Sequence, residues 1–590
     1  MTTTKPRATP PTLRFLGKLI SYSPLRFTLA AVGWLLFHLW PLLPGVMGKA
    51  LFDVLEGRAA PGFTIVSVVA ILVAGGMARC AAILWATMAY SGWYIRIRGL
   101  VQHNLLRTIF RRPGAQALPG SAGETISTLR DDSDAIAMMG GWSFDMLAAL
   151  VFAFGGIAIL LSVDVRVTLV VMVPLILVLC LGQLARNRAY RVRERSREAT
   201  ANVTAAIEEM AVAVRAIKAA DREDAVVARL RARNSVRKDA MIRDKVQSIA
   251  LDALFSSTAG IGAGLTLLAA GGRMASGDFS IGDFVLFSTY LMQVSEYTGF
   301  MGYLVRTYQQ SGVAFSRATA LLQGTPPLTL VDHHPLYLHS EPPAPPPPPA
   351  VEPLRELRID GLTHIFPHTD KGIRDVTLTI PAGGTTVITG EIGSGKTTLL
   401  RAILGLHPAH GGEIRWNGDV IDNPGEFMVP PRVAYTAQNP VLLSGTIREN
   451  ILLGLPDEYN VVHQAVKQGV LLPDLQHFDD GLDTQIGVGG VRLSGGQIQR
   501  TAAARMFVRQ PFLLVMDDLS SALDVDTERD LWAQLFALSV TCLTVSHRPA
   551  VLQRADQVVL LKAGRVDAVG TFAELLENSE DMRRQHRRSP

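Results

Sequence analysis

The sequence predicts a multidomain chain: a six-helix, all-α transmembrane domain followed by an α/β domain built around a phosphate-binding P-loop. Three observations predict it. Uncharged apolar stretches, each about long enough to cross a bilayer as helix, recur through the first 305 residues. A proline-rich run at 342–353 ends that half. Beyond it, strand and helix patterns alternate around the run GEIGSGKT, Gly390 to Thr397.

The 590 residues allow two or three domains. Hydrophobic residues make up 48%, and mean hydropathy is +0.23, with the apolar excess in the first half. A net charge of only +5 gives no reason to expect nucleic acid as a partner. Cys80 and Cys180 fall in apolar runs and Cys542 in a predicted buried strand, so neither a disulfide framework nor a metal framework is expected. The polar, basic N-terminus lacks a short apolar core with a cleavage site, and no signal peptide is expected.

Residues 27–48, 59–78, 146–163, 167–185 and 253–272 contain no Asp, Glu, Lys or Arg. A sixth span is expected near 284–305, interrupted by Glu296. Runs of this length and number exceed what buried helices of a soluble core supply. The segment 93–139 holds six Arg and 186–249 holds sixteen Lys plus Arg, whereas 49–61 has two such charges and 164–166 and 271–282 one each. Basic loops stay in the cytoplasm, so both termini are expected there. The basic segments keep a helical pattern, as in 201–233, and read as membrane helices continuing into the cytosol; a surface amphipathic helix is the alternative. Two charges fall at or within spans, Arg79 and Glu296, and read either as a polar substrate path or as structural charges.

Eight prolines in 342–353 exclude helix and central strand, and suit a stiff polyproline spacer. His333, His334 and His339 precede it without a Cys or carboxylate cluster, and read as solvated loop residues rather than a metal site. The expected domains are 1–330 (transmembrane), 331–354 (linker) and 355–590 (nucleotide-binding).

In the second half, an apolar strand (385–389) leads into the glycine-rich run and then a helix (398–406). Gly390, Gly393 and Gly395 let backbone N–H groups close on phosphate oxygens, with Ser394 and Thr398 in the same cradle, and the helix N-terminus favours an anion. Lys396 is placed to reach the β and γ phosphates of ATP, and the Thr397 hydroxyl to ligate Mg²⁺. A second apolar strand (512–516) ends in Asp517 and Asp518. An acid at the carboxyl end of a parallel strand suits Mg²⁺, which points to Asp517.

The run LSGGQ, Leu493 to Gln497, lies between these two motifs and resembles the signature of ATP-binding cassette proteins. The resemblance implies further roles. Phe366 stands where an aromatic stacks on adenine, usually Tyr. Gln438 matches a glutamine that touches Mg²⁺ and the attacking water. Ser494, Gly495, Gly496 and Gln497 would close on nucleotide held by a facing chain. Ser520 to Asp524 match the loop that contacts the opposite cassette, and His547 the histidine on the γ phosphate. Segments 123–136 and 201–219 resemble cytoplasmic loops of exporter-type half-transporters, and Thr484 to Gly487 their exporter-specific loop, with Gln485 where Glu is more usual.

That family implies a second chain, since six helices are half of twelve, and an activity that couples ATP binding and hydrolysis to alternating access. One position departs: Asp518 stands where Glu normally polarises the water. It is shorter by a methylene, so slow hydrolysis is expected at this site. With an intact LSGGQ, this resembles one subunit of a heterodimeric exporter; a slow homodimer is the alternative. The expected setting is a bacterial inner membrane, a composition richer in Arg and Ala than Lys being the hint. An ATP-gated regulatory or channel-like protein, and an importer on the same fold such as one for siderophores, are the competing functions. Substrate is not legible.

Overall fold

The computed structural model describes residues 12–58, 62–112, 122–343, 351–367, 369–487, 490, 493–520, 522–538 and 540–588. The extreme N-terminus and most of the proline run (344–350) lie outside these, as do the side chains of Cys180 and Glu296. The described residues divide into two compact units, one of residues up to Phe110 and from 122 to Glu341, the other of Arg111, Arg112 and residues from Pro342 onward.

The first unit is helical: α1 (Thr12–Tyr22), α2 (Pro24–Leu39), α3 (Leu42–Leu55), α4 (Ile65–Arg111), α5 (Ala122–Ser127), α6 (Ser133–Val163), α7 (Val165–Ala219), α8 (Glu223–Ser276) and α9 (Ile281–Leu321). The expected continuous span at 27–48 is instead two helices meeting at Trp40–Pro41. Pro44 has no N–H to return to the Trp40 carbonyl, which accepts from Leu43 N at 2.9 Å. Tyr290 then donates to the Leu42 carbonyl at 2.8 Å. Helices α7 and α8, of 55 and 54 residues, would each run about 80 Å, well past a hydrocarbon core of about 30 Å. They are joined by a turn in which Asp221 takes φ 51°. Among the described residues, three helical stretches are long and apolar enough to cross a membrane: Pro24–Leu55, Ile65–Arg111 and Gly123–Val163. The predicted spans at 167–185, 253–272 and 284–305 fall within α7, α8 and α9.

Aromatic and aliphatic side chains hold this unit together. One cluster gathers Phe15, Trp93, Ile97, Ile136 and Phe315; a second gathers Leu160, Phe279, Phe287, Tyr290 and Leu291. A polar cluster bridges three of the helices. His38 Nε2 (α2) lies 2.8 Å from Asp145 Oδ1 (α6), and His38 Nδ1 lies 3.0 Å from the Tyr297 hydroxyl (α9). The guanidinium of Arg79 sits 4.5 Å over the Phe37 ring. His333 and His334 pack on α1 rather than standing free: His333 Nε2 is 2.9 Å from the Lys18 carbonyl, and Tyr22 donates to the His334 carbonyl.

Among the described residues the second unit has twelve strands: β1 (Glu356–Ile365), β2 (Gly372–Pro381), β3 (Thr385–Thr389), β4 (Gly411–Trp416), β5 (Asp419–Val420), β6 (Val433–Thr436), β7 (Gly445–Thr446), β8 (Gln485–Ile486), β9 (Leu513–Asp517), β10 (Thr541–Val545), β11 (Gln557–Lys562) and β12 (Arg565–Gly570). Six form one sheet in the order β12-β11-β3-β10-β9-β6, parallel except for edge strand β12. Every residue of β3, β9 and β10 is buried, which explains why these strands carry no charge other than the terminal Asp517. An antiparallel sheet, β2-β1-β4-β5, supplies the residues around Phe366. Strand β10 separates β3 from β9, so the P-loop and Asp517 emerge from carboxyl ends on the same edge, where such sheets bind ligands.

Candidate nucleotide site

The loop after β3 turns sharply into helix α10 (Lys396–Ile403). Gly390 takes φ 148°, and a Cβ there would stand 2.2 Å from the Leu561 carbonyl oxygen, so only glycine fits. Gly395, at φ 103°, forms the helix N-cap. Lys396 Nζ bridges the carbonyls of Gly390 and Glu391 at 2.9 Å each, folding the loop over its own side chain. Burial lowers its pKa, against the opposing pull of Asp517 and Asp518.

Thr397 donates to Asp517 Oδ1 at 3.0 Å. Asp517 is 1% exposed, and its other oxygen, Oδ2, is buried without a hydrogen-bond partner. Burial raises its pKa, while the Thr397 hydroxyl works against the rise. Ser394 Oγ is likewise buried and unpartnered. Two orphaned oxygens beside a cationic lysine are the arrangement a polyphosphate with a hard, oxygen-seeking cation would complete. Thr397, Asp517 and Gln438 offer only oxygen donors of the kind Mg²⁺ prefers.

Asp518, one residue past β9, takes φ 52° and accepts from Gln438 Nε2 at 3.2 Å. His547 follows β10. Although the residue keeps an exposed edge, partial burial of its ring, then the Lys396 charge, lower its pKa, while Asp518 pulls it up. Lys396, Thr397, Gln438, Asp517, Asp518 and His547 therefore share one site.

The remaining predicted residues sit elsewhere in the unit. Ser494 caps the helix Gly495–Phe507 with a capping box, accepting from Gln497 N at 3.3 Å and donating its own N–H to Gln497 Oε1 at 2.9 Å. Asp524 caps the helix Val525–Ala537 by accepting from Thr527 N at 2.9 Å, which lowers its pKa. Phe366 packs against His364 and His407. Ser521 lies outside the described residues.

Two links were not anticipated from the sequence. Gln499 reaches both ways: its Nε2 donates to the Gln438 carbonyl at 3.4 Å, and its Oε1 accepts from Ala522 N at 3.0 Å. Arg548, next to His547, pairs with Glu528 and donates to the Ser520 carbonyl at 3.0 Å, while the Ser520 hydroxyl donates to Glu528 at 2.6 Å. The only sequence signal for these was polar residues in runs that are otherwise buried.

Comparison with known proteins agrees with this division. A family described as "ABC transporter transmembrane region" matches residues 31–297, and one described as "ABC transporter" matches 373–521. Over 208 residues the chain is 37% identical to the uncharacterized ABC transporter ATP-binding protein YwjA of Bacillus subtilis, covering 35% of this chain and 36% of that protein. It is 33% identical over 228 residues to the ATP-dependent lipid A-core flippase of Escherichia coli K12, covering 38% and 39%. These matches thus span little more than a third of the relatives' own length. A solved bacterial Atm1-family ABC exporter with ATP bound shares the fold, with a TM-score of 0.72 over 98% of this chain and 99% of that one, at 20% identity.

Proposed function

We propose that this chain, whose two halves match the ABC transporter transmembrane region and ABC transporter families, is a half-transporter that pairs with a second one and uses ATP to drive a substrate across a membrane in the manner of an exporter or flippase. The supporting observation is the cradle around Lys396, with its orphaned Ser394 Oγ and Asp517 Oδ2, on a chain whose other unit is built of long apolar helices. The six spans of this reading are α2–α3, α4, α6, α7, α8 and α9. Domain limits of 1–330 and 355–590, cytoplasmic termini and a bacterial inner membrane complete it.

In this reading the backbone of Gly390 to Thr398 holds the triphosphate, and Lys396 neutralises its β and γ oxygens. Thr397, Asp517 and Gln438 hold Mg²⁺. When bound, that ion neutralises charge on the transferring phosphoryl group. Asp518 orients the attacking water, His547 contacts the γ phosphate, and Phe366 stacks on the base. Ser494 to Gln497 close over nucleotide on the partner, and Asp524 fixes the loop that meets it. ATP binding the closed pair more tightly than the open one supplies the driving force. The short reach of Asp518 favours slow hydrolysis here and a heterodimer with a more active partner site. It equally motivates a second reading, an ATP-gated regulatory protein in which binding outweighs turnover. The flippase relatives favour an amphipathic lipid as the transported class.

The test is reconstitution with the partner in vesicles. ATP-driven translocation of a fluorescent lipid, lost in Lys396→Ala, is expected. ATP-dependent gating without net movement would favour the regulatory reading instead.

A further inference from the structure

Three imidazoles stack beside the aromatic residue assigned to the base. His364, on β1, lies between His407, at 4.8 Å between ring centroids and 11° between planes, and His410, at 5.1 Å and 22°. Phe366 stands edge-on to two of them, 4.8 Å and 87° from His364 and 5.4 Å and 81° from His407. Its ring is thus fixed by a pair of parallel imidazoles rather than by a loop alone. Such perpendicular ring contacts are favourable beyond the area they bury.

Hydrogen bonding assigns the protons. His364 Nδ1 is 2.8 Å from the Pro408 carbonyl, which can only accept, so Nδ1 carries the hydrogen. His364 is 3% exposed, and its Nε2 is buried without a partner. Ile365 N donates to His410 Nδ1 at 3.2 Å, so that nitrogen is bare and His410 carries its hydrogen on Nε2. A charge on His407 would face the parallel His364 ring under 5 Å away. The groups acting electrostatically on His407 are His364 from β1 and Arg401 from α10, both cations when charged. Burial, followed by these two, lowers the His407 pKa.

We propose that His364 and His407 are positioning residues for nucleotide: their stacked rings hold Phe366 in the orientation that receives the base, and acid that charges His407 releases the ring and weakens binding. This rests on the nucleotide reading of Phe366 given above. It makes the affinity for a nucleoside triphosphate depend on pH through groups that touch neither phosphate nor metal.

The experiment is equilibrium binding of a fluorescent ATP analogue (MANT-ATP, with Mg²⁺) to the full chain in nanodiscs at pH 7.5 and at about pH 5, low enough to charge an imidazole held below its ordinary pKa. His407→Ala should weaken binding at pH 7.5 by roughly three- to tenfold, the scale of a lost aromatic pair. His407→Phe should restore it, and should lose markedly less affinity than wild type on acidification. His547, Lys396 and the phosphates are common to all these proteins, so their own titration cancels in the comparison. The phenylalanine variant keeps the ring packing and serves even if the alanine variant misfolds. Equal pH losses in wild type and His407→Phe would overturn the proposal while leaving the nucleotide site standing. A wild type that binds no MANT-ATP at either pH would remove the nucleotide reading, and this inference with it.

Discussion

The Thr397 hydroxyl engages only one oxygen of Asp517; the other is buried and unpaired. Burial therefore raises the carboxyl pKa, and the folded chain holds that proton more tightly than the unfolded chain does. Between the ordinary carboxylate range and the raised value, this group's contribution to stability falls as pH rises, and above it the bare carboxylate is a standing cost. Asp517→Asn should thus melt no lower than wild type at pH 7.5 in the absence of Mg²⁺ and nucleotide, and the difference should narrow as pH is lowered. Its ATPase activity should fall on the order of a hundredfold. A variant that melts lower at every pH would contradict the burial argument.

Gln499 holds the Gln438 carbonyl and the Ala522 amide on one side chain. Gln499→Leu leaves both without that partner, which should slow ATP turnover roughly tenfold. Nucleotide affinity should stay within about twofold, since neither contact belongs to the cradle. Paired steady-state ATPase and binding measurements check this. Weakened binding with unchanged turnover would place Gln499 in the cradle instead.

Arg548 and Glu528 form an ion pair whose side chains are 34% and 10% exposed. Arg548→Ala leaves Glu528 buried without its cation, at a cost of about 2 kcal/mol, below the fully buried figure because the arginine is partly solvated. Hydrogen exchange over 519–528 should accelerate at least about tenfold. The double change Arg548→Met with Glu528→Leu should recover most of the protection. No recovery would mean that the pair acts on more than local stability.

In the role proposed for Asp518, Asp518→Glu adds the one methylene of reach that the shorter acid lacks. Turnover in the partnered complex should rise, by up to about a hundredfold if water placement limits it. The measurement is single-turnover hydrolysis. Unchanged rates would assign the slow step elsewhere.

How much of this was legible in the sequence follows from how each feature is encoded. The phosphate loop is contiguous, so glycines, lysine and threonine could be read directly, and β3 matched its predicted limits of 385–389. Asp517 was legible because a buried parallel strand announces itself as an apolar run. The break at Trp40–Pro41 was hidden inside an apolar stretch whose hydropathy masked the missing N–H of Pro44. His38 and Asp145 meet across 107 positions, and Gln499 and Ala522 across 23; such pairs leave no periodic signal. The histidine stack was equally hidden, because His364, His407 and His410 come together only when β1 pairs with β4.

Calorimetric titration of Mg-ATP into the full chain in nanodiscs, wild type against Lys396→Ala, addresses the central claim most directly. Saturable binding in wild type, weakened at least about tenfold in the variant, is the predicted result. Equal affinity in both proteins, or none in wild type assembled with its partner, would contradict the assignment of the cradle to a triphosphate.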